Sequence, residues 1–349
     1  MGYKLGSLFD GIAGFPLVGS WHNLEPVWAS EISEKAVSVT KKHFPNMKHL
    51  GDITKLKGSE IKPVDVITFG SPCTNLSIAG NRKGLLGEES KLFYEAVRII
   101  EEMRKATNNM YPRFAVWENV VNAFSSNNGD DFKCVIDSMI RIMTPDFEGV
   151  DKPSEKNLWR KADGWLATHG SVCYRVLNAQ YWGVPQHRER IFLVADFRGG
   201  SAGKILFDPE SEERALSEID RPWHKNRGEV VEYTEGIERI DWVLLDVPQT
   251  QRIVTDKGVI PTLCCKGGGG SIGANLLVWR EDKQAWDYRM ITPLEGERLQ
   301  GFPDNWTEYG ENGEKIKDTD RYTMIGNSVA LPCVDFVLGG IAENLGKGC

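Results

Sequence analysis

The sequence lacks several features that define common classes of protein. No apolar run approaches the length of a membrane span, and the first residues lack the apolar core of a signal peptide, so we expect a cytoplasmic protein. The seven cysteines are odd in number and show neither a C-x-x-C pair nor a zinc-ligand spacing with histidine. This pattern predicts free thiols, a reducing compartment and no metal site.

Positive charge is not in excess either. The 42 Lys and Arg residues are outnumbered by 49 Asp and Glu residues, which gives a net charge of −7. Such a balance argues against a protein that coats nucleic acid over its whole surface. It leaves open a cleft with local positive charge, because the field at the cleft is what steers a ligand.

Short apolar strands alternate with helical stretches through the first half of the chain. The 349 residues are enough for one large domain and a smaller one. Strands are predicted at 3–9, 26–29, 64–69, 114–117, 173–177 and 190–195, with helices from about 15 and over 33–43, 91–105 and 131–142. This alternation predicts a mostly parallel sheet with helices on both faces.

Two stretches depart from this alternation. Residues 144–169 are polar and predict a surface excursion. Residues 198–287 consist of short polar pieces without a helical period, which predicts a second, smaller, irregular β-rich domain. We therefore expect residues 1–195 plus 318–349 to form the main domain, and residues 196–317 to form the second domain and its hinge.

A glycine turn lies between the first strand and the first helix, in Phe9-Asp10-Gly11-Ile12-Ala13-Gly14. Glycine lets the backbone approach a ligand closely. Glu31, twenty residues beyond Gly11, could accept hydrogen bonds from ribose hydroxyls. The turn lacks the complete G-x-G-x-x-G pattern, so a nucleotide cofactor and an ordinary tight turn remain equally open. Asp52 could accept from an adenine amino group or could be a turn aspartate.

Reactive and charged side chains follow several of the predicted strands. Cys73 follows Pro72 just after an apolar strand, at the sheet edge where ligands bind in open α/β sheets. A lone cysteine there is more often a small buried side chain than a nucleophile. Glu118 could place a carboxyl group at the same sheet edge as Cys73 or could be a helix-capping or surface acid. Arg188 and Arg190 could share one strand face or belong to a solvated charged run. The segment 292–295 predicts a capped helix start, and the segment 326–329 is expected to open the last helix.

Together these segments resemble the DNA cytosine C5-methyltransferases of bacteria and phages. The matching segments stand in the family's order, at residues 9–14, 71–73, 118–120, 186–190, 289–303 and 326–329. The resemblance spans residues 5–338 apart from the irregular stretch. It implies an α/β, Rossmann-like fold that is typical of S-adenosylmethionine-dependent methyltransferases, with a smaller β-rich target-recognition domain.

The resemblance implies a role for each catalytic group. Cys73 would add to C6 of a cytosine that has flipped out of double-stranded DNA, so that C5 becomes nucleophilic enough to accept a methyl group. Glu118 would hold N3 and the exocyclic amine, Arg190 would contact O2, and Arg188 would support the same pocket. The protein would act as a monomer on DNA, without a metal or a membrane partner.

The resemblance also implies the residues that bind the cofactor and the DNA. S-adenosylmethionine would be held by Phe9, Asp10, Gly11, Ile12, Gly14, Glu31, Ile32, Asp52, Ile53, Pro72, Leu92, Asn327 and Val329. DNA contacts are expected from Ser77, Asn81, Arg82 and Lys83 in the loop after the nucleophile, and from Thr262 in the recognition domain. Two residues depart from the family pattern: Ala13 replaces a usual glycine, and Thr74 replaces a usual glutamine.

Three alternatives remain open at this stage. The branch of the family that methylates transfer RNA shares the chemistry, although its recognition region is small, whereas this chain has a long irregular stretch. An inactive DNA-binding homologue is disfavoured because the implied catalytic residues are all present. A nicotinamide dehydrogenase would explain the glycine turn but would give no role to the other matching segments.

Overall fold

The computed structural model describes residues 2–72, 88–153, 159–217, 221–222, 240–247, 250–254, 259–263, 274–280 and 283–346. The strands in these ranges are β1 (Tyr3–Leu8), β2 (Leu24–Ser30), β3 (Lys48–His49), β4 (Val66–Phe69), β5 (Phe114–Val120), β6 (Ala162–Leu166), β7 (Ser171–Asn178), β8 (Gln186–His187), β9 (Glu189–Asp196), β10 (Ile240–Val247), β11 (Thr250–Val254), β12 (Ile260–Pro261), β13 (Ala274–Arg280) and β14 (Ala285–Met290). The α-helices are α1 (Gly14–Trp21), α2 (Glu34–His43), α3 (Glu88–Ala106), α4 (Asp130–Arg141), α5 (Ala202–Phe207), α6 (Pro209–Ser217), α7 (Pro293–Gln300), α8 (Asp318–Asn327) and α9 (Leu331–Gly346).

Eight strands form the main sheet, in the order β3-β2-β1-β4-β5-β9-β7-β6. The strands from β3 to β5 run parallel, as predicted. β9 pairs antiparallel with β5, and β7 and β6 continue the antiparallel pattern. The prediction of a mostly parallel sheet therefore holds only for the first part of the chain. The short links between β6, β7 and β9 leave no room for the crossover helix that parallel neighbours need.

Each face of the main sheet covers its own apolar core. The first core contains side chains from α1, α5, α8 and α9, and the second contains side chains from α3 and α4. Successive residues of a strand point to opposite faces, so Val116 of β5 lies in the first core and Trp117 lies in the second. Glu118 therefore extends from the first face, at the end of the strand.

The predicted capped helix start is confirmed in α7. The Thr292 hydroxyl accepts a hydrogen bond from the Glu295 amide, and the Glu295 carboxylate accepts one from the Thr292 amide. Pro293 occupies the first turn, where its missing N–H costs nothing. Gly301 ends the helix with a left-handed φ of 84°.

The prediction of a surface excursion over residues 144–169 is wrong in part. The described residues of this stretch include β6, which forms the edge of the main sheet. Trp159 is buried, donates a hydrogen bond to the Gly129 carbonyl and packs edge-on against Phe132. A polar composition did not reveal the strand because an edge strand buries only part of its surface.

Two further sequence expectations need correction. Residues 198–287 contain the helices α5 and α6, which pack on α9 beside the first core, so this stretch is not without helix. Beyond them it is β-rich as predicted, with an antiparallel sheet in the order β11-β10-β13-β14. The segment 326–329 does not open the last helix: α8 ends at Asn327, and α9 begins at Leu331.

Core packing crosses the predicted domain boundaries. Side chains from residues 202–215 and 291–316 join the first core. The division into residues 1–195 plus 318–349 and residues 196–317 stays a prediction. Among the described residues, no single helix is long and apolar enough to span a membrane. The bent pair α8 and α9 passes that test by length and composition, and most of α9 is buried in the first core.

Candidate active site

One cavity opens at the sheet edge where β1, β4 and β5 end and β9 begins. It has a volume of about 520 Å³. The parallel strands all present their carboxyl ends here, which is where ligands bind in open α/β sheets. Twelve of the residues predicted for the cofactor or for catalysis line it: Phe9, Gly11, Glu31, Ile32, Asp52, Ile53, Pro72, Leu92, Glu118, Arg188, Arg190 and Asn327. Residues that were predicted to bind the cofactor and residues that were predicted to bind the target base thus line the same cavity.

The glycine turn after β1 has an unusual backbone. Phe9, Gly11 and Ala13 have φ angles of 54°, 59° and 65°, all in the left-handed region. That region suits glycine but is strained for a side chain with a Cβ. A Cβ placed on Gly11 would meet none of the described residues within 4 Å, so its backbone faces open space. At Gly11 the backbone therefore lines the cavity with no side chain in front of it, so that a ligand can approach it closely.

Glu31 is fixed at the end of β2 by three backbone amides. One carboxylate oxygen accepts a hydrogen bond of 2.8 Å from the Gly11 amide. The other accepts bonds of 2.8 Å from the amides of Ile32 and Ser33. Each carboxylate oxygen can accept two bonds, so the oxygen that faces Gly11 can still accept one from a ligand hydroxyl. The Ile32 side chain beside it is 76% exposed at the rim of the cavity.

Asp52 performs the turn function that was one of its two predicted roles. Its carboxylate accepts hydrogen bonds from the amide and hydroxyl of Thr54, at 2.9 and 2.8 Å, and caps a short helical turn. These bonds lower the pKa of Asp52 below its usual value. Asp52 and Ile53 both line the cavity, so the capping role of Asp52 is compatible with the other predicted role, which stays a prediction.

Asp10 lies beneath the glycine turn and does not line the cavity. The residue is only 6% exposed, and neither carboxyl oxygen has a hydrogen-bonding partner of good geometry among the described residues. Burial raises the pKa of Asp10 to about 7, and the nearby Glu31 carboxylate adds to the rise, against the hydroxyls of Ser7 and Thr40. Burial therefore favours the neutral form of this carboxyl group far more than in an exposed aspartate.

Three other predicted cofactor residues are buried around the cavity without lining it. The Ile12 carbonyl accepts a hydrogen bond of 2.9 Å from the Trp306 indole. A Cβ on Gly14 would lie 2.7 Å from a methyl carbon of Val329, so glycine allows α1 to approach the break between α8 and α9. These residues hold the wall of the cavity in place.

Glu118 and Arg190 form an ion pair at the opposite end of the cavity. Arg190 Nε lies 3.3 Å from a carboxylate oxygen of Glu118, and both side chains are largely buried. Burial raises the pKa of Glu118 above its usual value, and the charges of Arg190 and Arg188 oppose that rise. A carboxyl group in this setting can carry a proton more readily than an exposed glutamate.

Ser71 is held tightly just before Pro72. Trp117 donates an indole hydrogen bond of 3.1 Å to the Ser71 hydroxyl, and Asn119 donates one of 3.1 Å to its carbonyl. Sequence reasoning missed the Trp117 bond, because nothing in the sequence indicates that this indole bonds to the residue that follows the neighbouring strand β4. Thr323 and Met324 of α8 also line the cavity without having been predicted.

Arg188 lies in the break between β8 and β9 and is 3% exposed. Its guanidinium donates to the carbonyls of Leu263, Gly326 and Ser328. The predicted strand therefore does not run unbroken through residues 186–190. Arg188 and Arg190 nevertheless line the same cavity, as the shared-face prediction requires.

Some predicted site residues lie outside the described part of the chain. They are the proposed nucleophile Cys73 and the proposed DNA contacts Ser77, Asn81, Arg82 and Lys83. Thr262 is described, and its hydroxyl donates to the His187 carbonyl at 2.6 Å. Among the described residues, no group of His, Cys, Asp and Glu could hold a metal ion.

Comparison with known proteins gives the family. The family model described as "C-5 cytosine-specific DNA methylase" matches residues 3–142 and 211–343, well over half of the chain. Type II methyltransferase M.Bsp6I of Bacillus sp. (strain RFL6) is 27% identical over 99% of this chain and 98% of its own length. Type II methyltransferase M.HhaI of Haemophilus parahaemolyticus is 26% identical over 99% of this chain and 95% of its own length. The crystal structure of S. pombe Dnmt2 methyltransferase shares the fold, with a TM-score of 0.67 and 18% identity over 98% of this chain and 99% of its own. The chain belongs to the C-5 cytosine-specific DNA methylase family, with the Rossmann-like fold of these enzymes.

Proposed function

We propose that this protein transfers a methyl group to C5 of cytosine in a specific duplex DNA sequence, through a transient bond between Cys73 and C6. One observation carries the proposal: the Glu118–Arg190 ion pair and Glu31, which is proposed to bind the cofactor, line a single cavity. A base and a methyl donor must meet in one enclosed space for direct transfer. The cavity supplies that space in a chain of the cytosine methylase family.

The cofactor end fits S-adenosylmethionine. Gly11 faces open space, and Glu31 can still accept a hydrogen bond. The side chains of Phe9, Ile32 and Leu92 offer apolar contact. A ribose hydroxyl suits Glu31, and an adenine ring suits the apolar side chains. S-adenosylmethionine, when bound, supplies the methyl group that C5 takes up.

The protein's own residues make C5 reactive. C5 of cytosine is a weak nucleophile, and addition of the Cys73 thiolate at C6 turns the ring into an enamine with electron density at C5. Glu118, whose pKa is raised by burial, holds a proton at N3 as negative charge develops, and Arg190 donates to O2. Loss of the C5 proton and breakage of the sulfur–C6 bond then release the methylated base.

The target base must leave the duplex before this addition. Stacked neighbours cover both faces of a paired cytosine, so the nucleotide flips into the cavity. Ser77, Asn81, Arg82 and Lys83 are the proposed contacts to the opened DNA, and Thr262 is the proposed contact in the recognition domain. We propose residues 1–195 plus 318–349 as the catalytic domain and 196–317 as the recognition domain and hinge. The protein would act as a monomer in the cytoplasm, without a metal.

Label transfer tests the substrate. The protein is incubated with tritiated S-adenosylmethionine and either unmethylated duplex DNA or transfer RNA. We expect label at C5 of cytosine in DNA alone. Label in transfer RNA alone would reject the DNA assignment, and label in neither would reject the proposed activity.

A covalent trap tests the nucleophile. In the presence of S-adenosylmethionine, duplex DNA with 5-fluorocytosine at the methylated site should form a complex that survives denaturation, because after methyl transfer the fluorine on C5 cannot leave as a proton does. Cys73→Ala should abolish the complex. Cys134→Ala, which removes a partly exposed free thiol in α4, is the matched control and should leave it intact. A complex that persists in Cys73→Ala would exclude this residue as the nucleophile.

A further inference from the structure

A short recognition segment, defined here as residues 260–263, is docked on the strand that leads into the active site. β12 pairs in parallel with β8, with Ile260 opposite Gln186 and Pro261 opposite His187. The Leu263 amide donates to the Gln186 side chain at 3.1 Å, and Leu263 is 1% exposed. The segment that contains the proposed DNA contact Thr262 is thus fixed to residues 186–187 through both backbone and side-chain bonds.

Arg188 connects this segment to the cofactor side of the cavity. One terminal nitrogen donates to the Leu263 carbonyl at 3.1 Å. The other donates to the carbonyls of Ser328 and Gly326, at 2.6 and 3.3 Å. These two carbonyls flank Asn327, which lines the cavity. A single buried side chain therefore joins the recognition segment to the α8–α9 break.

The chemistry of arginine makes this connection stiff. A guanidinium group is planar, and its two terminal nitrogens keep a fixed relative orientation. Movement of the Leu263 carbonyl must therefore reorient the nitrogen that holds residues 326–328, or break one of the bonds. Breaking one is costly, because carbonyl groups at this depth have no water to replace the donor.

A second set of bonds runs beside the first. The Gln186 side chain donates to the Leu299 carbonyl at 2.8 Å, and the Gln300 side chain donates to the Ile325 carbonyl at 3.0 Å. Both glutamines are fully buried. Buried networks of this kind favour discrete arrangements over gradual deformation, which is what coupling between two sites requires.

We propose that Arg188 is a positioning residue that couples DNA binding by the recognition segment to cofactor binding at the α8–α9 break. This inference rests on the proposed function. DNA that shifts residues 260–263 changes the position of residues 326–328, and hence the cofactor affinity. By linkage, the cofactor changes the affinity for DNA by the same factor.

The experiment measures this factor directly. Calorimetry gives the dissociation constant of S-adenosylhomocysteine for the whole protein, alone and with a saturating duplex that accepts label in the transfer assay. For the parent protein we expect a ratio of about 5-fold or more, within the usual range of coupling between sites. Arg188→Lys replaces the two-pronged guanidinium by a single ammonium group. It should bring the ratio of the two dissociation constants within about twofold of unity.

Arg104→Lys is the matched control. Arg104 is also buried, at 5% exposure, and donates to the carbonyls of Pro112 and Phe197 away from the cavity. Its replacement should lower the melting temperature to a similar degree and leave the ratio unchanged. A parent ratio near unity, an unchanged ratio in Arg188→Lys, or an equal loss in Arg104→Lys would each overturn the proposal.

A second variant covers the case in which Arg188→Lys does not fold. Gln300→Met removes the parallel bond to the Ile325 carbonyl and keeps a side chain of similar length. We expect the ratio to fall about threefold, as one of several links is lost, and an unchanged ratio would overturn the proposal. Failure of the parent protein to label DNA would instead refute the proposed function, so the two failures are distinguishable.

Discussion

Asp10 makes the stability of the folded protein depend on pH in a direction that is unusual for an aspartate. Replacement by Asn keeps the shape of the side chain and removes its ability to ionise. Burial raises the pKa of Asp10 from 3.8 to about 7 in the folded protein. Between these values the folded state keeps a proton that the unfolded state has released. The stability gained from the neutral carboxyl is therefore full below about pH 4 and is lost as the pH rises to about 7.

The size of the effect follows from the shift. Each pKa unit corresponds to about 1.4 kcal/mol, so a rise of about three units corresponds to about 4 kcal/mol over the whole range. About two of those units lie between pH 5 and pH 7. Because the slope flattens near the folded-state pKa, the free energy of unfolding of the parent protein should fall by about 2 kcal/mol relative to Asp10→Asn across this interval. The difference between the two proteins should then stay constant above about pH 8.

Urea unfolding measures this difference. The 11 tryptophans provide a fluorescence signal, and titrations between about pH 5 and pH 8 give the free energy of both proteins at each pH. Asp137→Asn is the matched control, because Asp137 is also buried but accepts hydrogen bonds from Lys133 and the Val150 amide. Its replacement should lower the unfolding free energy. Curves for Asp10→Asn and the parent that stay parallel across the range would refute the reasoning.

Three further substitutions, with Trp28→Phe as the control for the first, test the packing around the cavity. Trp117→Phe removes the donor to Ser71 and should slow covalent trapping about tenfold, a barrier increase of about 1.4 kcal/mol. Trp28→Phe removes a comparable buried indole bond, to the Lys62 carbonyl, and should not slow it; equal rates in the two variants would contradict this role. Gly14→Ala places a Cβ 2.7 Å from a valine methyl carbon and should lower the unfolding free energy by about 1–3 kcal/mol, so an unchanged melting curve would contradict the packing argument. Ala13→Gly removes the strain of a φ of 65° and should raise the unfolding free energy by about 0.5 kcal/mol in urea titrations. A lower unfolding free energy would contradict this, because it would mean that the added conformational entropy of the unfolded chain outweighs the strain removed from the folded state.

The features that were predictable from the sequence depend on local order along the chain. The helix cap at Thr292 needs only residues three positions apart, and it was confirmed. The glycine turn and Glu31 follow consecutive strands, so the alternation of elements was enough to bring them to one edge. Glu118 and Arg190 lie far apart in sequence, and the order of the family's motifs, rather than any local signal, indicated that they meet.

The features that were missed depend on packing between distant segments. The edge strand β6 has little burial to mark it in the sequence, and α5 and α6 are short helices whose apolar residues matter only because α9 covers them. The bonds from Arg188 to Leu263 and Ser328 join three separate segments through backbone carbonyls. Backbone acceptors carry no residue identity, so no sequence pattern could have indicated them.

The continuity of the cavity has a consequence for inhibitor design. Phe9 and Glu31 line one end, and Glu118 and Arg190 line the other, and no described residue separates the two ends. A single compound that joins an adenosine-like group to a pyrimidine by a short linker could occupy both ends at once. Its two halves would share one loss of translational freedom, so its affinity should exceed that of either half alone. The linker length that gives the highest affinity would then measure the distance over which the methyl group moves.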